Sequence, residues 1–421
     1  MSVKPTRTIP GEVSAPPSKS RTHRALFAGL LSKGATIIHN PLICDDTKAT
    51  VNAVMALGAD LHYDGDKWTV KSTGRPIGPK GEIECGESGV TLRFTIPISS
   101  LTGSDVVLKG NEPLMRRPLQ PLIDAMQQVG AKVDLEGLVV KVHAAGAHGG
   151  TVQLPGNVSS QFISGLLLAG PLMSDGLEVR VTSPLESRGY VSLTIEVMKR
   201  HGVVVETNYD MSFLRVSPHQ QYRPAEYTIP GDYSSAAFMM SAAAVTESKI
   251  HVLGLPNDEA DPDSAILRIL RQMGAEISFP SGKLSVEGHP LRGAEVNIRD
   301  CPDLGPVIAV LGTRANGETV ITGAERLRYK ESDRLAAIAS ELGILGANVK
   351  ETHRGLLVSG PCILTGGSVD SHGDHRIAMA LAVAALFASG TVTIRNAQCV
   401  SKSYPRFFDD LRLLGVEAIE R

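Results

Sequence analysis

The sequence predicts an α/β fold made of six copies of one unit, three copies in each of two domains. Three observations carry that expectation. The first is a series of amphipathic stretches that close on a glycine and a small or branched residue, at Gly58, Gly130, Gly202, Gly274, Gly346 and Gly415. Their separations are 72, 72, 72, 72 and 69 residues, a regularity that marks an internal repeat. The second is a series of apolar stretches ending near Gly34, Gly103, Gly176, Ser248, Gly317 and Gly390, at intervals of 69, 73, 72, 69 and 73 residues. The third is the contrast between the two series, one amphipathic and the other apolar on all sides.

Each element follows from these patterns. A glycine closing an amphipathic helix adopts the left-handed conformation, and the residues after it run on as a strand. The alternation in Asp60–Val70, Lys132–Val142 and Glu276–Val286 reads as two strands joined by a turn. Each apolar stretch is followed by a β-branched strand, as in Thr36-Ile-Ile, Asp105-Val-Val-Leu and Thr391-Val-Thr-Ile. The unit therefore reads β-α-β-β-α-β. Helices such as Ala236–Val245 and Ile377–Phe387 present no polar face and are expected to be buried. Six buried helices do not fit one small core. Two domains of three units, each with central helices surrounded by sheet, is the simplest packing.

Composition narrows the function. The 421 residues are 42% hydrophobic and 20% charged, which is globular usage. The longest apolar stretches, Phe162–Met173 and Ile377–Phe387, fall short of the ~20 residues of a membrane span. Met1–Val13 carries Lys4, Arg7 and Glu12 without an apolar run, so no secretory leader is expected. Five scattered cysteines without a C-x-x-C pair suit a reducing cytoplasm and argue against structural zinc. A net charge of −2 disfavours nucleic acid, and 4% aromatics disfavour stacking on single strands. No membrane partner is expected either.

The chemistry concentrates at the starts of the apolar helices. They read Pro17-Ser-Lys-Ser-Arg-Thr-His-Arg24, Gly86-Glu-Ser-Gly-Val-Thr-Leu-Arg93, Asn157-Val-Ser-Ser-Gln161, Gly231-Asp-Tyr-Ser-Ser235, Pro302-Asp-Leu-Gly305 and Gly373-Asp-His-Arg376. Serine, aspartate and asparagine serve as caps. Lys19, Arg24, Arg93 and Arg376 do not, because cations oppose the positive end of the helix dipole. An anion lying between such cations and the free N–H groups reconciles them. Further charge lies in Asn111–Pro118, with Arg116 and Arg117, in Leu327–Arg334, and at Lys402. At 100° per residue, Lys330, Glu331 and Arg334 are expected within an arc of about 100° on one helix start. No phosphate loop, dinucleotide fingerprint or hydrolase elbow occurs. His372, Asp374 and His375 superficially suggest a metal site, but no third partner is evident and helix-start packing is expected instead.

These motifs, in this order and spacing from Ser18-Lys-Ser…Arg24 through Lys330-Glu-Ser-Asp-Arg334 and Asp374-His-Arg376 to Lys402-Ser-Tyr-Pro405, span practically the whole chain. They resemble the 3-phosphoshikimate 1-carboxyvinyltransferase (5-enolpyruvylshikimate-3-phosphate synthase) family of enolpyruvyl transferases. The resemblance implies two inverse α/β barrel domains of three repeats each. The chain would enter one domain, cross to the second and return. The implied boundaries give a discontinuous domain, 1–17 with 231–421, an inserted domain, 18–230, and an active site in the cleft between them. Closure on ligand is the corresponding expectation. The implied activity is transfer of the enolpyruvyl group of phosphoenolpyruvate to the 5-hydroxyl of shikimate 3-phosphate, without metal or organic cofactor, by a monomeric cytoplasmic enzyme. Two phosphates and a carboxylate would account for a local gathering of cations in a nearly neutral protein.

Carried over by motif, Lys19 would touch both substrates and support proton transfer. Ser20, Arg24, Ser159, Ser160, Gln161, Ser187, Tyr190, Asp303 and Lys330 would bind shikimate 3-phosphate. Gly89, Arg117, Gln161, Arg334, Arg376 and Lys402 would bind phosphoenolpyruvate. Asp303 would take the 5-hydroxyl proton, and Glu331 would protonate C3 and assist elimination. The chain departs from the family pattern at Glu87, Val90, Arg188-Gly189 and Arg326. Arg326 replaces a residue that contacts the shikimate phosphate. Gly89 is expected to leave room for glyphosate. The sister transferase acting on UDP-N-acetylglucosamine is the runner-up; it places a cysteine acid near the segment that is Asn111–Pro118 here, where none occurs. A non-enzymatic repeat scaffold is the third reading, and it leaves the charged helix starts without a purpose.

Overall fold

The computed structural model describes residues 1–256, 261–280 and 283–420. The chain forms two compact units, one of Met1–Pro16 with Pro230–Arg421 and the other of Pro17–Ile229. Both divisions fall one residue or so before the boundaries expected from the sequence.

Each unit holds three four-stranded sheets of one topology. In the sheet of Ile83–Gly86, Val106–Gly110, Val139–Val142 and Val133–Glu136, the first two strands are parallel and the remaining neighbours antiparallel. The other five repeat this pattern. The order along the chain is therefore β-α-β-α-β-β, which corrects the β-α-β-β-α-β expected from spacing. One strand follows each apolar helix, and three strands lie between each amphipathic helix and the next apolar one. The misplaced strand precedes the apolar helix and is short, as at Glu226–Thr228 and Glu295–Asn297. A run of three residues carries too little alternation to register as a strand.

The apolar helices form the two cores. Lys19–Leu31, Gly89–Ser99 and Ser160–Ala169 belong to the continuous unit. Tyr233–Val245, Gly305–Arg314 and His375–Ala385 belong to the other, where they pack on one another. Every residue of Tyr233–Val245 and of His375–Ala385 is buried. In the continuous unit the residues left partly open lie in the first turn, at Lys19, Ser20, Val90 and Gln161. Burying each large apolar side chain, such as Phe27, Phe94 or Phe238, contributes about 1.5–3 kcal/mol. The helices are thus fixed along their length, and those of the continuous unit are partly open at their first turns. Ser18, Ser88, Ser159, Asp232 and Asp374 cap five of these starts through side-chain oxygens that accept backbone N–H groups. The amphipathic helices end as expected, with Gly58, Gly130, Gly202, Gly274, Gly346 and Gly415 all at φ between +82° and +114°.

The chain changes unit between a strand and the helix that follows it. Gly11–Ser14 pairs with Lys249–Leu253 in one unit, and the chain then enters Lys19–Leu31 of the other. Glu226–Thr228 pairs with Lys33–His39, and the chain returns into Tyr233–Val245. The departing and returning ends meet where the Asp232 amide donates to the Pro16 carbonyl, 2.8 Å away.

Candidate functional site

The described charged residues form a cluster in each unit, and each cluster sits at helix starts. In the discontinuous unit, Arg334 opens helix Arg334–Ile344 and is almost wholly buried. Its Nε and Nη2 donate to Asp374 at 2.7 and 3.2 Å, its Nη1 to Asp303 at 2.8 Å, and its Nη2 also to Glu331 at 2.7 Å. Lys330 Nζ donates to the same Asp303 oxygen at 3.1 Å, and Arg376 Nη2 lies 3.8 Å from its other oxygen. Arg376 donates from Nη1 to the Ser234 carbonyl at 2.7 Å and lies over the Phe238 ring. Lys402, at the end of the short helix Ala397–Lys402, donates to the Gly373 carbonyl at 2.8 Å.

The electrostatics follow from these distances. Burial alone would raise the Asp303 pKa, but Lys330, Arg376 and Arg334 together hold it well below the usual carboxylate range. Burial lowers the Lys330 pKa, with Asp303 opposing and Arg334 assisting. Arg334 is held in its charged form against burial by Asp374, Glu331 and Asp303. A carboxylate and an ammonium in hydrogen-bond contact, beside fixed guanidinium groups, make a site suited to anions and to proton transfer.

Local structure differs here from the helical-wheel expectation. Asp333 caps the helix by accepting the Ala336 amide, so the helix begins at Arg334. Lys330 is extended, at φ −91° and ψ −153°, and Glu331 also lies before the helix. The three side chains are gathered by a bend closed by a cap, and not by a shared helical face. Arg326 turns an Nη2 to the Arg299 carbonyl at 2.7 Å. Among the described residues no group of three His, Cys, Asp or Glu side chains is placed to hold a metal ion. His372 meets Glu341 and Asp374 meets Arg334.

In the continuous unit, Lys19 Nζ donates to Asp46 at 2.7 Å. Arg24 is buried and makes three hydrogen bonds: Nε to Thr194 Oγ1, Nη1 to the Ser20 carbonyl and Nη2 to the Tyr190 carbonyl, each 2.8 Å, with the guanidinium over Phe94. Its contacts fix Ser20 and Tyr190, and they make Arg24 a brace for the helix starts. Arg93 Nη1 donates to Gln161 Oε1 at 2.7 Å. Gly89 packs against both Arg93 and Arg117, since a Cβ there would stand 3.2 Å from an Nη1 of each. Ser159 caps its helix, Ser160 is buried in the first turn, and Ser187 is buried in the left-handed conformation at φ 57°. A non-glycine residue held there is strained, a condition that concentrates at functional sites.

The sequence pattern gives no site role to Asp46, Thr194 or Asp374, and places Arg93 among the anion-facing cations without assigning it a ligand. Asp46 lies in the first turn of helix Asp45–Ala56, where an acid is ordinary. Arg93 did stand out as a cation at a helix start, four residues after Gly89, and that spacing was the available signal. Asp374 is the cap expected of its helix start, accepting the Arg376 amide at 2.9 Å, and it also anchors Arg334.

The EPSP synthase (3-phosphoshikimate 1-carboxyvinyltransferase) family matches residues 3–411. A 3-phosphoshikimate 1-carboxyvinyltransferase of Halobacterium salinarum is 42% identical over 99% of this chain and 98% of its own. One of Methanocorpusculum labreanum is 41% identical over 98% of each. Among solved structures, an EPSP synthase from Acinetobacter baumannii superposes with a TM-score of 0.82 at 27% identity, covering 100% of this chain and 99% of that one.

Proposed function

The chain belongs to the EPSP synthase (3-phosphoshikimate 1-carboxyvinyltransferase) family, and from that premise we propose that it transfers the enolpyruvyl group of phosphoenolpyruvate to the 5-hydroxyl of shikimate 3-phosphate. Inorganic phosphate is released. The observation that carries the reading is the convergence of Lys330, Arg334 and Arg376 on Asp303, with Glu331 sharing Arg334. A scaffold has no use for three cations gathered around one partly buried carboxylate.

The reaction is addition followed by elimination. The 5-hydroxyl gives its proton to Asp303 and its oxygen attacks C2 of phosphoenolpyruvate, while C3 gains a proton and becomes a methyl group. The C2–O bond to phosphate then breaks, and the methyl group returns a proton to restore the double bond. Asp303 is ionised throughout the neutral range, as an acceptor must be. Glu331 has Arg334 Nη2 as partner in the free chain. A substrate anion that takes this guanidinium would leave Glu331 free to face C3, to which it is assigned the proton transfer. Arg334, Arg376 and Lys402, with Gly89, Arg117 and Gln161, are assigned to phosphoenolpyruvate. Ser20, Arg24, Ser159, Ser160, Gln161, Ser187, Tyr190 and Lys330 are assigned to shikimate 3-phosphate, and Lys19 to both. A cytoplasmic monomer is the proposed working unit. Among the described residues no helix is long and apolar enough to cross a membrane.

The test is phosphate release from phosphoenolpyruvate with either shikimate 3-phosphate or UDP-N-acetylglucosamine as acceptor. Release with the first alone is expected. Lys19→Ala and Glu331→Ala should each lower turnover by about 10²-fold or more. Release with the sugar nucleotide, or full turnover in both variants, would overturn the assignment.

A further inference from the structure

Helix Arg334–Ile344 is fastened to the segment Asp370–Asp374 at two places, and the second is outside the cluster described above. Arg334 holds Asp374 at the start of the helix. Glu341 follows seven residues later, close to two turns, and so lies on the same stripe. Its side chain is 5% exposed. Its Oε2 accepts the Asp370 amide and its Oε1 accepts His372 Nε2, both at 2.8 Å. A buried carboxylate is costly without such donors, and both come from this one segment.

His372 is held tightly from the other side as well. It sits at φ 53°, and its amide donates to Asp370 Oδ1 at 2.7 Å. Asp370 is in turn fixed by Arg395 Nε at 3.1 Å and Asn396 Nδ2 at 3.2 Å. The residue after His372 is Gly373, whose carbonyl accepts Lys402 Nζ at 2.8 Å. A lysine on a flexible four-carbon stem is pre-oriented only as well as its acceptor is placed.

We propose that His372 is a positioning residue for the phosphoenolpyruvate site: clamped between Glu341 and Asp370, it sets the Gly373 carbonyl and through it the Lys402 ammonium. The role rests on the reading of Lys402 as a phosphoenolpyruvate ligand. His372→Gly accepts the left-handed backbone and removes the donor to Glu341. His372→Gln keeps an N–H donor of comparable reach. In the full chain, His372→Gly should raise the KM for phosphoenolpyruvate about tenfold, with kcat and the KM for shikimate 3-phosphate within about twofold. His372→Gln should recover most of that loss. An unchanged KM in His372→Gly, or a fall in kcat with both KM values affected alike and no rescue by glutamine, overturns the proposal. Amide exchange at residues 370 and 373 is the readout independent of turnover. Faster exchange confined to this segment in His372→Gly supports the clasp, and unchanged exchange overturns it. Absence of turnover in the unaltered chain would instead count against the proposed function.

Discussion

Gly89 shows how a single residue is fixed by what surrounds it. Its backbone is helical, so conformational freedom is not the reason for glycine; the space is. A Cβ would stand 3.2 Å from a guanidinium nitrogen of both Arg93 and Arg117. Gly89→Ala should leave the melting temperature unchanged or raise it, because alanine favours a helix by up to about 1 kcal/mol. The displaced guanidinium groups should raise the KM for phosphoenolpyruvate about tenfold. Steady-state kinetics with each substrate varied in turn would show this, and an unchanged KM would remove Gly89 from the site. The residue types of the site were legible in the sequence because a cation at a helix start conflicts with the dipole and demands a reason. Their partners were not. Asp46 reaches Lys19 from a separate helix, and Asp374 reaches Arg334 across 40 residues, so no spacing rule connects either pair. Lys330 and Glu331 were expected on a helical wheel, but the Asp333 cap excludes them from the helix.

Elements were legible where they were long and periodic. The six left-handed glycines and the buried apolar helices appear where the sequence put them, because a missing Cβ and an unbroken apolar run each have one structural outcome. The three- to five-residue strands before most apolar helices left no pattern to read, and the order within the repeat was misjudged for that reason. Helix ends also carry a feature visible only in the fold. Helix Arg188–Arg200 runs into His201, which is fully buried and lies edge-on to Tyr222 and Tyr227. Its Nδ1 donates to the Arg223 carbonyl at 2.8 Å. Burial pushes its pKa down to about 4, with the Arg223 bond opposing and Arg200 assisting. The folded value lies below the unfolded one of about 6.5, so this contribution is complete above pH 6.5 and is lost as pH falls toward 4. Roughly 2 kcal/mol should be gone by pH 4.5. Trp68, the one tryptophan of the chain, is buried in the same unit, and its fluorescence reports urea unfolding there. His201→Asn should lower stability at pH 7 and flatten the decline between pH 7 and 4.5. An equally steep decline in the variant would assign the acid sensitivity elsewhere.

At the scale of the whole molecule, connectivity makes the two units unequal. All three sheets of the continuous unit are built from residues 17–229. The other unit needs both sides of that run: Gly11–Ser14 beside Lys249–Leu253, and Ser2–Val3 between Val392–Arg395 and Ala418–Ile419. Ser2 and Thr393 meet at a separation of 391 residues, whereas Ser32 and the Arg223 carbonyl meet at 191. Chain length alone separates these closures little, since doubling a loop costs only about 0.6 kcal/mol. Dependence separates them more. The insert requires nothing from the flanking chain, while the discontinuous unit must bring together ends that the insert holds apart. Once folded, the insert replaces a long flexible loop by a compact body, and the Pro16–Asp232 hydrogen bond can then close. Refolding should therefore protect amides of 17–229, and restore Trp68 fluorescence, before the amides of Gly11–Ser14 are protected. Pulsed hydrogen exchange with residue-level detection measures the order directly. Protection of Gly11–Ser14 simultaneous with, or ahead of, the insert would mean that the discontinuous unit closes around an unfolded chain, and the dependence argued here would fail.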